Sequence, residues 1–256
     1  MPTKSQLARA WVVLLLAATA HAQAPLAWVG HEAEMEAHLR SAAVERIEDI
    51  GVGVTRPRRA FLEPDLPFAS MTWKVLPERF LRGHWESYKS EIAAYELDKL
   101  LEMHMVPPAV ERVVSGEEGA AIMWVDDTRS VKDLGGKVPT GPQFSRPIRV
   151  MQLFDNLIGN PDRNAGNILV DRSNRIILID HSRAFVDSDD LPFAFERVDA
   201  TLWSHVEQLT REQLAKTVSP WLRSEAIDAM LARRTRIEAK VNDLVKRRGR
   251  AAVIIP

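Results

Sequence analysis

The chain has 256 residues, 46% hydrophobic and 27% charged, which suits one large or two-lobed globular domain with a core that needs no covalent staples. Its formal net charge of -1 gives no general attraction to nucleic acid or to an anionic membrane surface, so a nucleic-acid partner is not expected. It contains no cysteine, which excludes disulfides, thiolate zinc sites and a cysteine nucleophile.

In chain order, Lys4 and Arg9 precede an apolar run from Ala10 to Ala20, and Ala20-His21-Ala22 then places small residues at the positions a signal peptidase reads. Residues 1–22 are expected to be a cleaved signal peptide, which makes the protein secreted or periplasmic. The alternatives are a retained anchor or a start codon misplaced before a cytosolic protein. The apolar run is shorter than the roughly 20 residues a span requires, and no later segment is longer. No stable membrane span is therefore expected after cleavage. Residues 23–45 read as a lead-in, with a helical pattern from His31 to Val44.

Residues 46–125 read as a small, strand-rich N-lobe. Ile50 to Val54 and Arg59 to Leu62 are two expected strands about a Thr55-Arg56-Pro57 turn, and Phe68 to Val75 is a third. Tyr88 to Met103 spaces Ile92, Tyr95, Leu97, Leu100 and Leu101 along one helical face, and Pro107-Pro108 ends the helix. Val110 to Val114 and Ala120 to Val125 are two further expected strands. Residues 126–146, with Gly135-Gly136, Pro139, Gly141 and Pro142, read as a linker between lobes. Residues 147–256 read as a mainly helical C-lobe: a helix from Ile148 to Ile158, a small hairpin made of 168–170 and 176–179, then helical patterns over 199–247 broken near Ser219-Pro220. The order implies an α+β chain in two lobes.

Two polar clusters carry the chemistry. Gly159-Asn160-Pro161-Asp162-Arg163-Asn164-Ala165-Gly166-Asn167 lies between an apolar helix and an apolar strand, and Asp180-His181-Ser182-Arg183 follows the second strand of the hairpin. An Asp and an Asn held by one hairpin suit a hard divalent cation whose other positions are filled by phosphate oxygens. A second Asp upstream, outside the metal shell, suits an acceptor hydroxyl. Asp162 and Asn167 are five residues apart, the separation found in the kinase catalytic loop H-R-D-x-x-x-x-N. The plainer alternative is an Asp/Asn/Gly-rich turn and a strand-ending Asp that caps it. The ordered set favours the chemical reading.

The stretch Leu153 to Asn164, followed by Ile179-Asp180-His181-Ser182-Arg183-Ala184-Phe185, resembles the secreted atypical kinases typified by the Golgi casein kinase. It is similar, more distantly, to the lipid-kinase-like group with its D-R-x-x-x-N loop. Glu91 to Leu101, then Val106-Pro107-Pro108, resembles the same family's regulatory helix and the turn after it. The resemblance covers roughly residues 47–185 and implies a two-lobed protein-kinase-like fold. It implies that Lys74 contacts the nucleotide phosphates, Glu91 pairs with that lysine, Asp162 is the catalytic aspartate, and Asn167 and Asp180 hold the metal. It further implies that Gly51 and Gly53 belong to a phosphate-covering loop and that Met123 and Val125 belong to the hinge that receives the adenine. ATP with Mg²⁺ or Mn²⁺ are the implied cofactors. Alternatively, Lys74 is an edge-strand lysine that keeps a sheet soluble, and Glu91 an exposed glutamate favoured by the helix dipole. Arg163 is expected to brace the loop through backbone carbonyls or Asp155, and His181 to pack or cap. His181 and Ser182 depart from the D-F-G pattern, and Asn164 stands where the relatives have histidine.

The expected function is transfer of the ATP γ-phosphate to a hydroxyl of an unknown protein or sugar acceptor. The alternatives are a catalytically inactive nucleotide-binding or scaffold protein, and nucleotidyl transfer by the same site.

Overall fold

The computed structural model describes residues 25–51, 56–63, 68–81 and 84–256. The expected signal segment, Gly53 and most of the expected 50–54 strand lie outside the described residues. Among those described, no helix is long and apolar enough to cross a membrane.

The chain begins with helix α1 (Glu32–Ser41), followed by strands β1 (Val44–Asp49), β2 (Arg58–Leu62) and β3 (Ser70–Lys74). The first strand thus lies earlier than its glycines suggest, and Gly51 opens the β1–β2 connection with a φ of 73°, a backbone that glycine adopts without strain. A short hairpin not foreseen from the sequence, β4 (Arg79–Leu81) and β5 (His84–Glu86), leads into helix α2 (Lys89–Leu100). Strands β6 (Ala109–Val114) and β7 (Glu117–Met123) complete a five-stranded antiparallel sheet ordered β1-β2-β3-β7-β6. β3 is the central strand, which disposes of the edge-strand alternative for Lys74. α1 packs against β6 and β7, with Trp28, Met35, Leu39, Met71 and Trp73 in one core cluster.

The expected linker is partly ordered structure. Strand β8 (Thr128–Ser130) pairs with β9 (Ile168–Asp171), which pairs in turn with β10 (Ile176–Leu178). Helix α3 (Pro142–Ile158) starts earlier than expected because Pro142 occupies the first turn, where a missing N–H costs nothing, while Pro147 is accommodated inside the helix. Gly159 ends α3 in the left-handed conformation (φ 59°), and a Cβ there would stand 2.7 Å from Cζ of the buried Arg233. Beyond the hairpin come β11 (Val198–Asp199), α4 (Ala200–Glu207), α5 (Arg211–Val218), α6 (Ser224–Arg248), α7 (Arg250–Val253) and β12 (Ile254–Ile255). β12 returns to pair with β11, tying the C-terminal end to the helical half. In the helical half Trp203 is buried and Trp221 packs partly buried against the same core. The larger core cluster runs from α2 through α3, α4, α5 and α6, so α2 belongs to both halves of the molecule.

Candidate active site

Three expected residues from three distant segments meet. Lys74 is the last residue of β3, and the facing strand has Gly119, where a Cβ would stand 2.5 Å from the Lys74 carbonyl oxygen. Its ammonium donates to Glu91 Oε1 at 2.6 Å and to Asp180 Oδ1 at 2.8 Å. Glu91 lies in the first turn of α2 but is buried, its side chain 3% exposed, so it is not the solvated glutamate of the plainer reading. Its second oxygen, Oε2, accepts the backbone N–H of His181 at 2.8 Å. Burial disfavours both charges, yet the charges prevail. The carboxylates of Glu91 and Asp180 hold the Lys74 ammonium above its usual range, while Lys74 and His181 hold the Glu91 carboxyl well below its own.

Asp180 follows β10 with a φ of 58°, a left-handed turn that a short polar residue tolerates. The Ser182 hydroxyl donates to the same Asp180 Oδ1 at 2.8 Å. His181 is buried, and burial holds its imidazole below the ordinary value; Nε2 lies 2.8 Å from Arg163 Nη2, which can only donate.

The loop between α3 and β9 is built on Arg163. Its guanidinium makes two bonds to the buried Asp155, Nε–Oδ2 at 2.9 Å and Nη2–Oδ1 at 3.0 Å. Nη1 donates to the carbonyls of Asn167 and Ile179 at 2.8 and 2.7 Å. This is the bracing role expected from the sequence, and it joins the loop to the strand that presents Asp180. Asn160 donates to Asp155 and accepts the Asp162 N–H, and Asn164 accepts the N–H of Gly166. The Asn167 Nδ2 donates to the Asp162 carbonyl at 2.9 Å, which turns its amide oxygen away from that bond, and Ile179 N–H donates to the Asn167 carbonyl at 3.2 Å. Asn167 and Asp180 therefore sit on adjoining strand ends of one hairpin. An amide oxygen and a carboxylate form the hard-oxygen donor set that magnesium or manganese takes together with phosphate and water. Among the described residues no group of three or more His, Asp or Glu side chains could hold an ion.

Asp162 stands apart from this centre, its side chain 38% exposed, with Oδ2 3.3 Å from Arg183 Nη1 and Oδ1 3.4 Å from Asn164 Nδ2. Met123 ends β7 and is buried, and the half-buried Val125 follows it. Both pack in the cluster that includes Leu169, Ile177 and Ile179 of the β9–β10 hairpin. The Trp124 N–H between them is taken by the Ser70 carbonyl at 3.1 Å. Gly51 is exposed on the β1–β2 connection, and Gly53 falls outside the described residues. The sequence reading missed Glu86 and Arg183. Arg183 stood in the quoted D-H-S-R motif, but its partner lies 97 residues away in a hairpin with no strong strand pattern.

Comparison with known proteins bears on the fold. The sequence profile of the phosphatidylinositol 3- and 4-kinase family matches residues 122–236, which take in the loop and the hairpin. No curated protein sequence matches the chain. Among solved structures, a hydra Fam20 determined with sugar is similar at a TM-score of 0.67 and 18% identity, over 88% of this chain and 92% of that one. The Golgi casein kinase, also solved with Mn and ADP bound, gives 0.66 and 16%, over 89% of this chain and 79% of that one. The Helicobacter pylori proinflammatory kinase CtkA gives 0.51 and 11%, over 82% and 97%. The fold is thus the expected two-lobed, protein-kinase-like α+β fold, with lipid-kinase similarity in the stretch that holds the loop.

Proposed function

We propose that this chain is a metal-dependent phosphotransferase that moves the ATP γ-phosphate to a hydroxyl of a protein or sugar acceptor. The observation that carries the reading is the buried Lys74–Glu91 pair joined to the half-buried Asp180, one strand end away from Asn167 and the Asp162 loop. A buried lysine with two carboxylate partners is costly as a mere structural device, since apolar residues fill such space as well or better. It is useful where a fixed cation must meet phosphate oxygens.

In this reading Lys74 binds the nucleotide phosphates and Glu91 fixes its position. Met123 and Val125 border the adenine, and Gly51 and Gly53 cover the phosphates. Asn167 and Asp180 hold Mg²⁺ or Mn²⁺, whose charge neutralises the phosphate oxygens when bound. Lys74 and Ser182 both donate to Asp180 Oδ1, which fixes the orientation of the carboxylate that would hold the cation. Asp162 accepts the proton of the acceptor hydroxyl as the acceptor oxygen bonds to the γ-phosphorus. The bond from that phosphorus to the β–γ bridging oxygen breaks, and ADP leaves with the electron pair. Most of the acceleration comes from positioning and charge stabilisation. The charged run, apolar run and small residues of 1–22 support export of the protein to the periplasm or beyond.

Titration calorimetry of ATP into the purified chain, with and without Mg²⁺ or Mn²⁺, tests the reading. Metal-dependent binding that Asp180→Ala abolishes is the expected result, and equal binding by the variant would sink the metal assignment. His181-Ser182 in place of Phe-Gly favours one second reading, an inactive nucleotide-binding protein. It predicts binding with no phosphorylated or nucleotidylated product by mass spectrometry.

A further inference from the structure

The residues just before and within the first turn of α2 run alongside those that follow β10, and polar contacts join them. Glu91 Oε2 accepts the His181 N–H, the Ser87 N–H donates to the Ser182 carbonyl at 3.0 Å, and Arg183 Nε donates to Glu86 Oε1 at 2.6 Å. Glu86 ends β5 and its side chain is fully buried. Its other oxygen, Oε2, accepts from Arg79 Nε and Nη2 across the β4–β5 hairpin at 3.1 and 2.8 Å. A buried carboxylate with charge-assisted bonds on both oxygens is a fixed anchor. It holds the Arg183 guanidinium by one edge and leaves Nη1 directed at Asp162 Oδ2, 3.3 Å away.

We propose that Arg183, anchored by Glu86, is a positioning residue for Asp162: it sets the rotamer of the carboxylate that receives the acceptor proton. This rests on the phosphotransferase reading. The geometry supports it in three ways. The carboxylate of Asp162 has only two side-chain contacts among the described residues, both long, so it is not held by Asn164 alone. The guanidinium is planar and pinned at Nε, so Nη1 has little freedom to drift. The anchor comes from the hairpin that precedes α2, so Arg183 joins the segment after β10 to the segment that leads into Glu91. Arg183 touches neither cation nor nucleotide in this account; it acts through Asp162.

The test measures ADP release from ATP and Mn²⁺ with water as acceptor, together with Mn²⁺-dependent nucleotide binding by calorimetry. The proteins are wild type, Arg183→Ala, Arg183→Lys, Asp162→Asn and the Arg183→Ala/Asp162→Asn double variant. Displacement of a reacting group by about 1 Å costs on the order of 100-fold. Arg183→Ala is therefore expected to lose about 100-fold in kcat with its nucleotide Kd unchanged, and Arg183→Lys to recover part of the rate. Guanidinium ion at millimolar concentration is expected to restore part of the Arg183→Ala rate. In the Asp162→Asn background Arg183→Ala should cost nothing more. A wild-type rate in Arg183→Ala, or a further loss in the double variant, would overturn the positioning role while leaving the phosphotransferase reading intact. Loss of nucleotide binding in Arg183→Ala would overturn it too, as the mark of a structural role. A wild type that binds nucleotide, releases no ADP and yields no phosphorylated product by mass spectrometry would overturn the phosphotransferase reading itself, and Arg183's role with it.

Discussion

Replacing Glu91 by Gln keeps the shape of the side chain and removes one property, the ability of both ends to accept. In the wild type Oε1 takes the Lys74 ammonium at 2.6 Å and Oε2 takes the His181 N–H at 2.8 Å. A glutamine must turn its NH₂ toward one of them, so a buried donor faces a buried donor whichever way it lies. A lost bond to a charged group costs about 1.5–3 kcal/mol, and a stranded buried donor about 1–3 kcal/mol. Asp180 still partners Lys74 at 2.8 Å, which holds the total near the lower end of the roughly 3–5 kcal/mol seen when a buried ion pair is broken. About 3 kcal/mol corresponds to a fall in Tm of roughly 6–12 °C in a chain of this size. The Glu91 carboxyl is held below its unfolded value, burial opposing and Lys74 and His181 prevailing. Its contribution is therefore fully present above the unfolded value of about 4.3 and is lost as pH falls toward the folded one. The Tm gap between wild type and Glu91→Gln, followed by circular dichroism, should be full at pH 7 and should narrow below about pH 4. A gap of less than 1 °C at pH 7, or one that widens in acid, would show that the Glu91 carboxylate does not contribute this stability.

Two further substitutions test the frame of the site. Arg163→Lys replaces a fork that meets Asp155 twice and two carbonyls at once by a single ammonium, and should cost about 3 kcal/mol in urea unfolding; a wild-type midpoint would show that the loop does not depend on that fork. Asp98 is buried near the end of α2, where its Oδ1 accepts the N–H groups of Met105 and Val106, and burial pushes its carboxyl up to about 7 against those donors. A raised folded value means stability that is full below about pH 3.9 and is lost as pH rises through the folded value. Asp98→Asn keeps the acceptor oxygen without the charge, so it should melt above wild type at pH 8, the difference closing as pH falls toward about 4. A difference independent of pH would contradict this.

What sequence alone settled here were the features written in local chemistry. The periodicity of Ile92, Tyr95, Leu97 and Leu101 defined α2, the apolar runs on either side of Asp171–Arg175 defined the β9–β10 hairpin, and the ordered spacing of Asp162, Asn167 and Asp180 marked the polar loop. These are legible because helical and strand patterns, and the spacing of polar residues over short stretches, depend only on near neighbours. The identity of Lys74 and Glu91 as a pair followed from resemblance, and nothing local distinguished Lys74 from an edge-strand lysine or Glu91 from a solvated one. Only the sheet order, which buries β3 between β2 and β7, made Lys74 central and Glu91 its partner. The stretch 126–146 looked like linker because its glycines and prolines weaken any periodic signal, yet β8 is held by a strand that lies some forty residues on. The Glu86–Arg183–Asp162 chain was invisible for the same reason. Its members are 97 and 21 residues apart, and a contact between such distant groups exists only once the core has brought the segments that carry them together.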